Sequence, residues 1–234
     1  MSTMPTTSKD LAPFLRVALI VAAIPYVLNQ VRKPTKWVGR FFLLMMNATH
    51  SSPTDWGLTH ARIEKDFTIL DVGCGGGRTI QKLSAAATAG KVYGVDYANG
   101  SVAASRAKNA TLIEAGRVEI KQASVSQLPF PENSFDLVTA VETQYYWPNL
   151  SKDMQEILRV LKPAGTLVII AESYRSGAYE MLQRPVMKLL RSSSLSPDDQ
   201  RALFSAAGYI DVQIFEERTK GWICATGKKP SPNS

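Results

Sequence analysis

The stretch "ILDVGCGGGRT", Ile69 to Thr79, decides how the chain is read. It closes a β-rich run that begins at Phe67 and opens "RTIQKLSAAATAG", whose Ile80, Leu83 and Ala87 recur at helical spacing. Strand, glycine loop and helix form the arrangement in which backbone N–H groups and a helix amino terminus meet a ligand. A triphosphate loop needs Gly-x-x-x-x-Gly-Lys-Ser/Thr, but Arg78 follows Gly77. A dinucleotide loop needs Gly-x-Gly-x-x-Gly/Ala, with the third small residue letting helix and strand approach. Counted from Gly73 and Gly75 that position is Arg78; counted from Gly75 and Gly77 it is Ile80. The spacing present is Gly-x-Gly-x-Gly, preceded by the acid Asp71.

Outward from the loop the pattern alternates. "KVYGVD" reads as a second strand, "SVAASRAKNATLIEAG" as a second helix stopped by Gly116, and "VEIKQA" as a third strand. "SFDLVTAVE" is a fourth strand, "SKDMQEILRVLKPAG" a third helix and "TLVIIAES" a fifth strand. Such alternation predicts a parallel sheet covered by helices on both faces. Arg175 to Phe204 reads as largely helical, with its last helix starting at Ser196 or Pro197. "IDVQIFEERT" and "WICATGKK", joined by a turn at Lys220–Gly221, predict a closing antiparallel hairpin.

These residues resemble the class I S-adenosylmethionine-dependent methyltransferases. "LDVGCGGG" (Leu70–Gly77) matches the family's first motif, an acid followed by Gly-Cys-Gly-x-Gly. "ASVSQLPFPENSFDLV" (Ala123–Val138) and "ILRVLKPAGTLVI" (Ile157–Ile169) resemble two further family stretches, so the likeness spans Phe67 to Glu172. The resemblance implies a Rossmann-like, doubly wound seven-stranded α/β sheet, mostly parallel with an antiparallel carboxy-terminal hairpin. It also implies S-adenosyl-L-methionine as cofactor. Gly73, Cys74, Gly75 and Gly77 would then let the backbone approach the methionine and ribose parts, with Asp71 near the cationic amine. Asp96 falls where the family binds ribose hydroxyls, and Tyr97 lies beside adenine. Ser124 stands where the family often carries an aspartate for the adenine amine, which leaves its hydroxyl and the Val125 N–H for that edge.

Methyl transfer needs alignment and water exclusion more than a fixed catalytic residue, and a base only where the acceptor must lose a proton. The fourth strand ends in "AVETQYYWPN" (Ala140–Asn149). Glu142 is a candidate to take a proton or orient an amine; the alternative is a carboxylate that only bonds the cofactor or a loop. Tyr145, Tyr146 and Trp147 are candidates for an aromatic acceptor pocket, against ordinary packing under the next helix. His50, in "MNATHSSPTDWG", is a candidate base in a cap segment that also holds Trp56, while His60 reads as a helix-surface residue.

The bulk properties narrow the partner. The 234 residues carry a net charge of +7, but residues 1–36 hold five of the basic side chains against Asp10 alone. The body lacks a Lys/Arg cluster interleaved with aromatics. The "ETQYYWP" stretch also differs from the Asn/Asp-Pro-Pro-Tyr/Phe of amino-methylating DNA enzymes. A small-molecule or lipid-like, hydrophobic or aromatic acceptor is expected, with no nucleic acid and no metal. A non-catalytic S-adenosylmethionine-binding protein and an NAD(P)-dependent oxidoreductase are the alternatives. Cys74 and Cys224 form neither a disulfide framework nor a metal spacing, so a cytoplasmic compartment is the default.

Residues 11–31 carry only Arg16 as a charged side chain, and the uncharged Val17–Val31 run, which holds Pro25, Asn29 and Gln30, would span roughly 22 Å as a helix, against about 30 Å for a bilayer core. A membrane surface contacted through residues 11–36, a lid helix and a cleaved leader are the three readings. Residues 1–36 thus form a separate segment, 37–228 the methyltransferase domain, and 229–234 a disordered tail. Oligomeric state is not legible.

Overall fold

The computed structural model describes residues 51–172 and 195–231. The amino-terminal segment 1–36, His50 and most of the expected helical stretch before Ser196 lie outside the described residues.

Helix α1 (Ser51–Leu58) precedes strand β1 (Thr68–Val72). Then come α2 (Arg78–Ala86), β2 (Lys91–Asp96), α3 (Asn99–Lys108), α4 (Ala110–Glu114) and β3 (Val118–Gln122). β4 (Phe135–Val141) is followed by a 3-10 turn (Gln144–Tyr146), α5 (Leu150–Val160) and β5 (Leu161–Glu172). α6 (Pro197–Ala206), β6 (Ile210–Glu217) and β7 (Trp222–Lys228) complete the described elements.

The strands form one sheet in the order β3-β2-β1-β4-β5-β7-β6. β1 to β5 pair in parallel, and β7 runs antiparallel to both β5 and β6. This is the expected seven-stranded, mostly parallel sheet with an antiparallel carboxy-terminal pair. The strand order reverses between β1 and β4, which opens a crevice at their carboxyl ends.

Period-2 alternation splits the core between the two faces. Leu70, Val138, Leu167 and Ile169 pack with Met154 and Ile157 of α5 and Phe204 of α6. Ile69, Leu137, Val168 and Ile170 pack with Ile80 and Leu83 of α2, Val102 of α3 and Trp56 of α1. α6 starts where the capping pattern puts it. Ser196 accepts from the Asp199 N–H and Asp199 accepts from the Ser196 N–H, with Pro197 opening the first turn.

Three elements differ from the sequence reading. The second helix breaks at Asn109, which is 1% exposed. Its amide donates to the carbonyls of Gly77 (3.0 Å) and Ser105 (2.8 Å), tying the break to the glycine loop. The third helix ends at Val160, because Pro163 disfavours helical backbone before it and Leu161 turns extended (ψ 141°) to pair with Phe135. β5 therefore begins five residues early, and the register jump from Phe135–Leu161 to Leu137–Thr166 leaves Lys162–Gly165 as a bulge. Lys229, assigned to the tail, is anchored. Its ammonium reaches Asn133 Oδ1 (2.8 Å) and the carbonyls of Arg159 (3.1 Å) and Leu161 (2.8 Å). A cation there complements the negative carboxyl end of α5.

Candidate active site

The glycine loop leaves β1 at the crevice and is stitched to the end of β2. The N–H groups of Gly73 (2.8 Å) and Cys74 (3.0 Å) both donate to the Val95 carbonyl. Gly75 N–H donates to Asp96 Oδ2 at 3.0 Å, and Ala98 N–H to Asp96 Oδ1 at 2.9 Å. The spacing demands glycine at each position for a different reason. Gly73 has φ +73°, and a Cβ there would lie 2.2 Å from Thr143 Oγ1. Gly77 has φ +78°, and its Cβ would meet Ser105 Oγ at 2.4 Å, so it lets α2 and α3 close together. Gly75 has φ +49°, yet its Cβ would find only the Gly73 carbonyl oxygen at 4.0 Å. The middle glycine thus borders open space, where a ligand can approach the backbone.

Two carboxylates sit under this loop. Asp71 is 2% exposed, and its Oδ1 accepts from the Thr139 hydroxyl across the β1–β4 pair at 2.7 Å. Burial pushes its carboxyl up to about 7, with the Thr139 bond opposing and the Asp96 charge adding. Asp96 is 7% exposed, and burial raises it as well, against the opposing bonds from Ala98, Gly75 and Ser101. Those three donors leave part of the roughly four acceptor sites of a carboxylate unused. Paired buried carboxylates repel a pyrophosphate. They suit a ligand that carries positive charge and hydroxyl groups, as S-adenosylmethionine does.

Around the crevice the other expected residues fall in different places. The Tyr97 ring is 44% exposed beyond β2, and its carbonyl accepts from Gln122 Nε2 at 3.0 Å. The Ser124 hydroxyl accepts from the Ser126 N–H at 3.2 Å, and the Val125 side chain is buried. Cys74 contributes to the loop through its backbone. Its sulfur is buried toward Ser105 Oγ (3.8 Å) and over Gly94, and burial drives the thiol well above its usual range. Only its backbone borders the loop.

Glu142 follows β4 with φ +55°, and its N–H donates to the Ile170 carbonyl at 2.9 Å. Its Oε1 accepts from the Glu172 N–H. Burial raises its carboxyl to about 8, and the nearby Glu172 charge pushes the same way; the bonds from Glu172 N–H and Tyr145 oppose. The aromatic patch divides. Tyr145 is buried, its hydroxyl donating to the Glu172 carbonyl at 2.6 Å, and Tyr146 packs beside it with ring centroids 6.1 Å apart. Trp147 joins the core on the α5 face, with a buried Nε1 that lacks a partner among the described residues.

Trp56 packs edge-on to His60 (4.9 Å) and near Trp222 (6.0 Å). His60 is corrected from a surface residue. Its ring stacks on Phe215 at 4.0 Å, and burial lowers its affinity for a proton. Sequence reasoning missed Thr139 and Thr143. Both lie in or just after β4, and the signal for them is the β1–β4 register that pairs Asp71 with Thr139. Among the described residues no group of three or more His, Cys, Asp or Glu side chains is placed to hold a metal, and no helix is long and apolar enough to cross a membrane.

The methyltransferase domain family matches residues 70–169, from the glycine loop through β5. An uncharacterized methyltransferase, YdaC of Bacillus subtilis, is 24% identical over 196 residues, covering 80% of this chain and 97% of that protein. A sterol 4-C-methyltransferase of Caenorhabditis elegans is 36% identical, over 46% of this chain and 31% of its own length. A demethylmenaquinone methyltransferase of Symbiobacterium thermophilum is 30% identical, over 62% of this chain and 53% of its own. The chain therefore spans about a third to a half of these last two relatives. Among solved structures, a Haloferax volcanii protein bound to the Trm112 methyltransferase activator superposes with a TM-score of 0.69 at 21% identity, covering 82% of this chain and 94% of that one. Phosphoethanolamine N-methyltransferase 2 of Haemonchus contortus, solved with S-adenosyl-L-methionine, gives a TM-score of 0.66 at 16% identity, covering 77% of this chain and 53% of that one. Family match, relatives, sheet order and the doubly acidic glycine loop agree: residues 70–169 match a methyltransferase domain, and the chain is similar to the class I S-adenosylmethionine-dependent methyltransferases.

Proposed function

We propose that the protein transfers a methyl group to a small hydrophobic or aromatic acceptor by in-line displacement. The observation that carries this is the Asp96 carboxylate, held by Gly75 and Ala98 N–H at the mouth of the glycine loop. When bound, S-adenosylmethionine supplies an electrophilic methyl group. In this reading Asp96 accepts the ribose hydroxyls, and Gly73 to Gly77 admit the amino acid end. Asp71 counters its positive charge from below, and Tyr97, Ser124 and Val125 border the adenine. Glu142, recessed at the end of β4, takes the proton an acceptor hydroxyl or amine must lose, and Tyr146 borders the acceptor. The carboxyl at about 8 gives a base poised near neutral pH.

The lean toward an apolar acceptor rests on the aromatic side chains after β4 and on the acceptors named for the sterol and demethylmenaquinone relatives. A tritium-labelled methyl donor incubated with a sterol, a short-chain quinol and catechol tests the reading. Organic-extractable label above a protein-free control is expected for at least one of them. Donor binding without transfer to any acceptor would favour a binding protein instead.

A further inference from the structure

The carboxyl ends of β4 and β5 carry a polar network closed on itself. Glu142 holds a left-handed backbone (φ +55°), and its carboxyl accepts from the Glu172 N–H. Tyr145, three residues on and 8% exposed, places its hydroxyl 2.6 Å from the Glu172 carbonyl oxygen and within a hydrogen bond of the Glu142 carboxyl. A tyrosine has one proton, and a carbonyl only accepts. Two arrangements therefore exist. With Tyr145 donating to the Glu172 carbonyl, the Glu142 contact needs a protonated carboxyl that donates to the phenol oxygen. With Glu142 ionised, the phenol proton turns to the carboxylate and the carbonyl loses it.

We propose that Tyr145 is a positioning residue for Glu142, its hydroxyl switching between the Glu172 carbonyl and the Glu142 carboxylate as Glu142 gains and loses a proton. The network explains why a non-glycine residue sits at positive φ here. The Glu142 backbone is bonded to Ile170, and its side chain folds back onto the Glu172 N–H. These bonds offset the strain of a side chain in that region. The titratable groups acting on Glu142 and Tyr145 among the described residues are Glu172 from β5 and Tyr146 from the same turn. Both push the Tyr145 phenol up, whereas on Glu142 two partners oppose each other. The phenol bond favours the charged carboxylate, and the Glu172 charge disfavours it.

The catalytic meaning rests on the reading of Glu142 as proton acceptor, but the network can be tested without turnover. Carboxyl-carbon NMR of protein with 13C-labelled glutamate follows the titration, with Glu142→Gln assigning the signal. A midpoint near 8 is expected in the parent. Tyr145→Phe, which keeps the ring, should raise it by about one pH unit, the equivalent of one ordinary hydrogen bond. Glu172→Gln, which keeps both backbone bonds, should lower it. A midpoint unmoved by Tyr145→Phe, or moved the same way by both substitutions, overturns the proposal. Glu142→Gln with undiminished methyl transfer would remove Glu142 as the base, a result separate from the titration.

Discussion

The glycine loop and the turn after β4 touch at Gly73 and Thr143, yet they are built in opposite ways. The loop is held by backbone: Gly73 and Cys74 on the Val95 carbonyl, Gly75 on Asp96. Its side chains are absent or, like that of Cys74, turned into the core. The turn is held by side chains: Glu142 on Glu172, Tyr145 on the Glu172 carbonyl, Trp147 in the apolar core. A cradle made of backbone leaves a spacing rule in the sequence. A network made of side chains leaves only residue types, whose partners lie about thirty positions away. That is why the glycine loop announces itself in the sequence and the turn does not.

The contrast can be broken most severely at the point of contact. Gly73→Val puts a branched side chain at φ +73° and into Thr143. A loss of about 3 kcal/mol of stability in urea denaturation is expected, together with loss of donor binding; near-parental unfolding would mean the two loops are not packed as described.

Asp71 sharpens the comparison electrostatically. Its carboxyl is raised on folding from 3.8 to about 7. The folded chain therefore binds more protons than the unfolded chain between those values, and its contribution to stability is full below about 4 and lost as pH rises through 7. Asp71→Asn should flatten that part of the profile and stabilise the ligand-free protein at pH 8, on the order of 2 kcal/mol. Urea midpoints at pH 5 and pH 8 measure it, and an unchanged slope would place the titration elsewhere. The smallest effect belongs to the Lys82–Asp55 pair that links α2 to α1, with Asp55 60% exposed. Lys82→Ala should cost about 0.5 kcal/mol or less, and less still at high salt, which screens the exposed pair; a larger loss would show that α1 depends on this tie.

Much of the architecture was readable because it is local. Alternation in "TILDV" and "KVYGVD" and the Ser196–Asp199 capping pattern needed no distant partner. The misreadings share a cause in tertiary contact. The helix break at Asn109 depends on the Gly77 carbonyl 32 residues earlier, and the early start of β5 depends on Phe135. His60 was assigned to the surface because nothing nearby in sequence reveals Phe215, which stacks on it. In the candidate site, the motif points to Asp71, Asp96 and the glycines, which the structure brings together at one loop. It does not point to Thr139 and Thr143, since hydroxyls gain meaning only from the strand register that aligns β4 with β1.

Calorimetric titration of S-adenosylhomocysteine into the parent and into Asp96→Ala tests the central claim most directly. The Asp96 carboxylate anchors Gly75 and Ala98, and in the proposed reading its remaining acceptor sites take the ligand. Removing it should weaken binding by about a hundredfold or more, as expected when hydrogen bonds to a charged group are lost. Equal affinity for parent and variant would contradict a donor site at the glycine loop.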